Sequence, residues 1–276
     1  MTDVDLHKLL TLLDDPDEKI AVNVMSELLK HEKELLPLLG ELQESADPLE
    51  RKRIQQLETI ICMRERRRKF LEIIESEQVD VIHGLIELHR LWFDRDSEDL
   101  LMEMLGTFMG VAANNKISNL EELGSFMARN GFALPPPEER FDPENFCIGP
   151  ILEDRLGADV MLCTLALLAG IDAGLQLGLV RINGKFAVVN ITGEMIAPDN
   201  NWLIDRSNKL RQGDFWNEPK AVLKYAAMML FLFAVSSDNF RYVHTIAHAL
   251  CGTAGDEMLD FLPYPYNGKI SEEESI

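Results

Sequence analysis

The chain has 276 residues, of which 46% are hydrophobic and 27% are charged, so it can bury the core of one or two globular domains. Its 27 basic and 47 acidic residues give a formal net charge of −20, which argues against nucleic acid as the main partner because phosphate backbones are repelled. The opening MTDVDLHKLL lacks the regions of a signal peptide, and no apolar run reaches membrane-spanning length without a polar break. We therefore expect a cytoplasmic protein with no membrane partner.

Two similar segments open helices near the amino terminus. Asp15-Pro16-Asp17-Glu18 and Asp47-Pro48-Leu49-Glu50 recur 32 residues apart, and each is expected to supply an N-cap Asp followed by a Pro at the first helical position. In the same register Leu28 and Leu29 correspond to Ile60 and Ile61. This spacing resembles a pair of HEAT-type helical hairpins. An ordinary helical bundle with a chance Asp-Pro repeat is the alternative, since repeat arrays usually need three or more units.

The main basic cluster of the chain is Arg64-Glu65-Arg66-Arg67-Arg68-Lys69. It lies in a helical pattern with apolar residues on both sides, so its charges can extend away from an apolar face. We interpret it as a solvated or acid-paired face. A site for RNA or another anionic partner is the alternative.

The middle of the chain predicts further helices over residues 79–91, 98–111 and 120–129, which end before Gly131 and the stiff Leu134-Pro135-Pro136-Pro137 loop. The apolar positions between Ile151 and Ala169 then predict a central helix that is buried nearly all round. Gly174 provides a left-handed helix end. Alternating residues on both sides of Asn183-Gly184, a type I′ hairpin signal, predict strands over 175–182 and 185–191, and 194–196 predicts a third strand.

The carboxyl-terminal part predicts a polar surface loop over 199–217 and then two helices over 220–235 and 239–250. This helical pair resembles a tetratricopeptide-like hairpin. The last residues, with two prolines and three consecutive glutamates, predict a flexible acidic tail.

Several of these segments together resemble the SirB family of transglutaminase-like proteins. The matching residues occur in the family's order and spacing: Phe126 to Phe132, Pro143, Asn145 and Phe146, Ile151-Leu152-Glu153 with Arg155 and Gly157, Gly174-Leu175, and Gly184-Lys185-Phe186. The resemblance covers roughly residues 117–196, a minority of the chain, as expected of one compact domain.

Together, the residue patterns and the resemblance predict an α+β, mostly α-helical fold in four parts. These are a HEAT-like helical region (1–74), a transglutaminase-like core with a small antiparallel sheet (75–216), a helical hairpin (217–254) and the acidic tail (255–276).

The resemblance also identifies where catalytic groups would lie. Transglutaminase-like enzymes place a thiol at the start of the central helix, a His on a following strand and an Asp that orients the His. In this chain the thiol position is Asp159 and the His position is Lys185, so both catalytic groups are missing. Asp199 matches the third position only with a shift of two residues. We predict that Asp159 and Lys185 form an ion pair, with an exposed Lys185 as the alternative.

Among the four cysteines, at positions 62, 147, 163 and 251, no C-x-x-C pair occurs, so we expect reduced, mostly buried thiols rather than disulfides or a zinc site. Cys163 lies one helical turn after Asp159 and is the candidate replacement nucleophile, but burial would make it unreactive. The nearest histidines in sequence are His89 and His244. His244-x-x-x-His248 lacks the acidic residue of a metalloprotease motif.

No glycine-rich phosphate loop is present, so we expect no nucleotide cofactor, and no metal. Two functions follow from the sequence. The first is a non-catalytic transglutaminase-like protein that serves as a protein-protein interaction or regulatory scaffold. The alternative is a thiol-dependent acyl transferase or amidohydrolase that uses Cys163.

Overall fold

The computed structural model of the chain describes residues 3–42, 47–207, 210–216 and 218–251. These residues form two compact units, one within 3–68 and the other within 69–251. The boundary lies inside a helix, close to the boundary at residue 74 that the sequence predicts. The predicted acidic tail over 255–276 lies outside the described residues.

The first unit is helical. It contains α1 (Asp3–Leu10), α2 (Glu18–Leu28), α3 (Glu32–Leu42) and the larger part of α4 (Pro48–Glu75). Asp47 accepts hydrogen bonds from the first-turn amides of α4, with Pro48 at the first position, as predicted. The predicted cap of α2 was wrong by two residues: Asp17 accepts from the Lys19 amide, whereas Asp15 accepts from the Asp17 amide in the preceding turn.

The core of the first unit contains the residues that correspond in the two similar segments, since Leu28, Leu29, Ile60 and Ile61 are all buried in one apolar cluster. This arrangement is compatible with helical repeats. The basic cluster is partly acid-paired, because Arg64 Nη1 lies 2.7 Å from Glu32 Oε1. Arg66 and Arg67 are buried, so the solvated part of the expectation does not describe them.

The second unit consists of seven further helices among the described residues and a three-stranded sheet. The helices are α5 (Val81–Trp92), α6 (Glu98–Asn114), α7 (Leu120–Arg129), α8 (Ile148–Asp154), α9 (Asp159–Asp172), α10 (Pro219–Ser236) and α11 (Phe240–Cys251). Side chains of Asp80, Ser97 and Asn119 cap the first turns of α5, α6 and α7. These caps explain why the three helices begin close to where the sequence predicts.

The predicted central helix is two helices rather than one. The chain leaves α8 at Arg155, which has a left-handed backbone (φ +65°), and Leu156 then forms a parallel bridge with Ala133. A Cβ at Gly157 would lie 2.9 Å from the Ile151 side chain, so a larger residue there would force Ile151 to move. An apolar pattern alone does not show such a break because α8 and α9 are both largely buried.

The sheet is an antiparallel meander of β1 (Leu177–Ile182), β2 (Lys185–Asn190) and β3 (Met195–Ile196). Asn183 and Gly184 both have positive φ, at 51° and 83°, which confirms the type I′ turn. Gly174 has φ +86° and the Leu175 amide bonds the Gly170 carbonyl, so α9 ends in the predicted left-handed cap. The prediction of a mostly helical α+β fold with one small sheet is confirmed.

The sheet packs on α9, and α7 packs against both α9 and β3. A side chain at Gly124 in α7 would overlap the backbone carbonyl of Trp202, so α7 and the chain after β3 are in direct contact. The indole Nε1 of Trp202 donates a hydrogen bond of 2.7 Å to the Phe132 carbonyl. These contacts fix the chain that follows the sheet against the helical layer.

The carboxyl-terminal hairpin belongs to the second unit, where α10 packs against α5, α9 and α11. Within the described residues, α10 is long and apolar enough to cross a membrane by length and composition, and 33% of it is buried. Lys220 and Lys224 lie in its first two turns, and Leu223 and Leu230 are fully buried. One face of α10 therefore contributes to the core of the second unit.

Candidate functional site

Asp159 begins α9 and is bonded to β2 through its carboxylate. Its Oδ1 accepts from the Val160 amide at 2.8 Å, and its Oδ2 accepts from the Phe186 amide at 2.9 Å. Burial raises the pKa of Asp159 above its ordinary value of 3.8, although the two backbone amides and the charge of Arg181 oppose that shift. The residue at the expected thiol position therefore joins the helix start to the hairpin.

Lys185 pairs with Asp199 and not with Asp159. The distance from Lys185 Nζ to Asp199 Oδ2 is 2.6 Å. Asp199 follows β3 in a 3₁₀ helix (Pro198–Asn200). Asp199, the candidate for the orienting acid, therefore contacts Lys185, which stands at the expected His position. The prediction of an Asp159–Lys185 ion pair was wrong, because both oxygens of Asp159 accept from backbone amides and the lysine has its own carboxylate. The alternative, an exposed Lys185, is the better description, since 68% of its side chain is accessible.

Cys163 lies deeper along α9 and is fully buried. Its thiol donates to the Phe186 carbonyl at 3.4 Å. Burial raises the pKa of the Cys163 thiol well above its ordinary value of 9.0, and the charges of Asp159 and Asp199 raise it further. Because a thiolate is the reactive form, these surroundings disfavour nucleophilic chemistry at this sulfur.

The structure thus brings Asp159, Cys163, Lys185 and Asp199 together around the start of β2. The backbone of Phe186 is the common point, since its amide bonds Asp159 and its carbonyl bonds Cys163. Asp159, Lys185 and Asp199, which the resemblance names as site positions, therefore lie near one another. Asp159 and Cys163 bond the Phe186 backbone, and Lys185 pairs with Asp199.

Sequence reasoning missed an arginine surrounded by aromatic rings beside this cluster. The Arg181 guanidinium lies 5.3 Å from the ring centroid of Phe186, 5.5 Å from that of Trp216 and 5.1 Å from that of Tyr225. The three rings also contact one another. Such cation–π contacts help to stabilise a half-buried positive charge. The Asn-Gly turn could have predicted the contact with Phe186, because it places Arg181 opposite Phe186 in the hairpin. The other two rings come from distant positions in the sequence, so no local pattern predicts them.

A second contact that the sequence did not predict joins His89 to the chain near Cys147. His89 is fully buried, its Nε2 lies 2.8 Å from Asp96 Oδ2, and its Nδ1 accepts from the Gly149 amide at 3.4 Å. Cys147 is also buried, and its pKa is raised well above 9.0 mainly by that burial. His89 therefore holds α5 to α8, and Cys147 is not an activated thiol.

The remaining candidates do not form a metal site. The rings of His244 and His248 lie 5.9 Å apart in an edge-on arrangement. Among the residues that the structure describes, no group of three or more His, Cys, Asp or Glu side chains could hold a metal ion. The four cysteines are unbonded, and Cys62 and Cys251 are exposed, so the expectation of mostly buried thiols was correct only for Cys147 and Cys163.

Comparisons of the chain with protein-family models, with curated proteins and with solved structures found no match. The geometry around Phe186 is therefore the basis for any statement about function. That geometry supplies one exposed ion pair, one partly buried carboxylate bonded to backbone amides and one stacked guanidinium.

Proposed function

We propose that this chain is a non-catalytic, transglutaminase-like protein of the SirB type that acts as a protein-protein interaction or regulatory scaffold in the cytoplasm. The observation that carries the proposal is the position of Asp159. Where the superfamily requires a thiolate, this chain has a carboxylate that accepts two backbone hydrogen bonds and cannot attack an amide as a thiolate would.

The neighbouring residues support the same proposal. A general base must accept a proton from the nucleophile, and an ammonium paired with a carboxylate at 2.6 Å has no lone pair with which to do so. Lys185 therefore cannot replace the histidine. Asp199, the shifted candidate for the orienting position, is the carboxylate that pairs with Lys185, so in this proposal the nucleophile and the base are the groups that are lost.

The alternative, a thiol-dependent acyl transferase or amidohydrolase that uses Cys163, requires a thiolate that burial disfavours. Its thiol proton is directed to the Phe186 carbonyl rather than to a base. The contacts of Cys163 are those of a core cysteine.

A protein partner is supported by apolar side chains at the surface of the second unit. Met228, Leu232 and Val235 lie about one helical turn apart on α10, and each is roughly half exposed. Phe240, at the start of α11, is 71% exposed. Adjacent exposed apolar side chains mark interaction surfaces more often than isolated ones do.

The catalytic part of the proposal is tested with a glutamine-containing peptide and a fluorescent primary amine. We expect neither amine incorporation nor ammonia release with the wild-type chain. Turnover by the wild type that disappears in Cys163→Ala would overturn the proposal and establish the alternative.

A companion variant tests the transglutaminase-like geometry itself. The double variant Asp159→Cys with Lys185→His restores a thiol and an imidazole beside the existing Asp199. If the positions correspond to the superfamily site, the restored thiol should react with iodoacetamide well below pH 8.5, the ordinary range of a free cysteine. The single variant Asp159→Cys is the matched control because it lacks the imidazole, and it should react more slowly at neutral pH.

The scaffold part is tested with a partner recovered by affinity capture from the native cell. The purified partner should bind the purified chain in calorimetry and should bind Cys163→Ala equally well. Covalent change of the partner after incubation with the wild type would contradict a non-catalytic role.

A further inference from the structure

The β1 edge of the sheet borders a largely apolar groove. The groove has a volume of about 430 Å³ and is lined by Ile171, Leu175, Leu177, Gly178, Ile191 and Phe215 with three further uncharged residues. Although the chain carries a net charge of −20, none of the residues that line this groove is charged. We call it the β1 groove. Ile171 and Ile191, on its walls, are 53% and 79% exposed.

The hydrogen-bond pattern of the hairpin shows which backbone groups face outward from the sheet. Phe186 uses its amide and carbonyl for Asp159 and Cys163, so it does not exchange hydrogen bonds with Arg181, its partner across the hairpin. In an antiparallel pair, hydrogen-bonded and non-hydrogen-bonded positions alternate. Arg181 is therefore a non-hydrogen-bonded position, and its backbone amide and carbonyl point away from β2. The same holds for every second residue of β1 before Arg181.

Leu179 and Leu177 are the next two such positions. The Leu179 carbonyl accepts from the Trp216 amide at 2.8 Å, so a short extended segment already pairs with the middle of this edge. Phe215 lies opposite Val180 in the same antiparallel bridge. Within the described part of the chain, the outward amide and carbonyl of Leu177 have no backbone partner, and Leu177 lines the groove.

We propose that the β1 groove binds an extended, uncharged, apolar segment of a protein partner. The segment adds its backbone to β1 beside Leu177 and places alternate apolar side chains against Ile171, Leu175 and Phe215. This inference rests on the proposed scaffold function and specifies the kind of partner that the scaffold takes.

The occupant follows from the chemistry of the groove. A backbone donor and acceptor pair at a strand edge is satisfied by another extended chain, which is the mode known as β-strand addition. The uncharged walls penalise burial of a charged side chain. The segment at Phe215 and Trp216 shows that this edge accepts a second strand, and the proposed peptide continues the same pairing toward the start of β1.

The test uses random dodecapeptides displayed on phage and selected against the full chain. Enriched peptides should carry apolar residues at alternate positions. Ile191→Asp should weaken their binding about tenfold or more, as expected for a charge placed in an apolar contact. Leu203→Asp is the matched control, since Leu203 is 68% exposed and does not line the groove, and it should bind as the wild type does.

A scan of single backbone N-methyl groups along the best peptide tests the pairing itself. Methylation should abolish binding at the one peptide residue that exchanges hydrogen bonds with Leu177 and have little effect at its two neighbours, because neighbouring amides point away from β1. Uniform sensitivity, or none, would overturn strand addition. Failure to enrich any peptide, or equal binding to Ile191→Asp, would also overturn the proposal.

Two further results would separate the proposed use of the groove from the proposed scaffold function. A concentration-dependent dimer in sedimentation that is lost in Ile191→Asp would give the groove to a second copy of this chain and overturn the proposal. A captured native partner that still binds Ile191→Asp would reject the β1 groove while leaving the scaffold function intact. Failure of the inference is therefore distinguishable from failure of the proposed function.

Discussion

Lys185 Nζ lies 2.6 Å from Asp199 Oδ2, so the residue after the hairpin turn is paired with the turn that follows β3. The lysine is largely exposed, and exposed ion pairs contribute little because solvent screens them. We expect a double-mutant cycle of Lys185→Met and Asp199→Asn in urea unfolding to give a favourable coupling below about 1 kcal/mol. The coupling should shrink at high salt. A coupling of about 3 kcal/mol or more, in the range of a buried pair, would contradict this assignment.

Asp159 should contribute to stability through hydrogen bonds rather than through charge. Replacing it with alanine leaves the Phe186 amide without its acceptor, so Asp159→Ala should lower the free energy of unfolding by about 1–3 kcal/mol. Asp159→Asn retains an acceptor oxygen and should cost less. Chemical denaturation at neutral pH measures both, and equal losses for the two variants would refute a hydrogen-bonding role.

The pH dependence of stability gives a separate test of Asp159. Because the pKa of Asp159 is raised in the folded chain, its contribution is fully present below its ordinary pKa of 3.8 and is lost as pH rises through the folded value. The free energy of unfolding of the wild type, relative to Asp159→Asn, should therefore fall as pH is raised from 3.8 toward neutrality. A difference that rises over the same interval would show that the folded pKa is lowered.

The four thiols should separate into two classes with a disulfide reagent such as DTNB. Cys62 and Cys251 are exposed and should react in the native chain, whereas Cys147 and Cys163 are buried with raised pKa values and should react only on unfolding. The Cys163→Ala variant should leave the native signal unchanged and remove one thiol from the denatured total. A native signal that falls in this variant would show that Cys163 is accessible.

Two helical glycines should respond in opposite directions to the same substitution. In Gly124→Ala the new methyl group meets the backbone carbonyl of Trp202, so we expect a loss of about 1–3 kcal/mol from overpacking. In Gly106→Ala, in α6, nothing lies within 4 Å, and the substitution should stabilise by about 0.4–1 kcal/mol because the unfolded chain loses freedom. Thermal unfolding compares them directly. Similar shifts for both would mean that α7 does not contact the Trp202 backbone closely.

The sequence predicted the parts of the fold that local chemistry determines. Asn183-Gly184 specified a type I′ turn, Gly174 specified a helix end, and Asp47 with Pro48 specified a helix start, because each residue acts on its own backbone. The break between α8 and α9 was not predictable in the same way. It depends on Arg155 adopting a left-handed conformation and on a bridge from Leu156 to a loop far away in sequence.

The candidate site was predictable in position but not in contacts. Resemblance placed Asp159, Lys185 and Asp199 in one neighbourhood, yet an ion pair between the first two ignored the Phe186 amide, which competes for the Asp159 carboxylate. The ring cage of Arg181 needs Trp216 and Tyr225 to meet β1 from later in the chain. Such contacts depend on tertiary packing, for which a single sequence offers no local signal.

Two hydrogen bonds join α9 to the hairpin over short sequence separations: Asp159 to Phe186 spans 27 residues and Cys163 to Phe186 spans 23. Two other bonds of the second unit are far longer in sequence, since Trp202 to Phe132 spans 70 residues and Tyr242 to Trp92 spans 150. Closing a short loop loses less chain entropy, so α9 and the hairpin should assemble before the later contacts form. This segment should therefore nucleate the folding of the second unit. In stopped-flow kinetics, Val188→Ala should slow refolding with a φ-value of about 0.5–0.8, while Tyr242→Phe should mainly speed unfolding. The Asp159 carboxylate, which accepts from the hairpin backbone, would thus help to set the rate at which the chain reaches its native state.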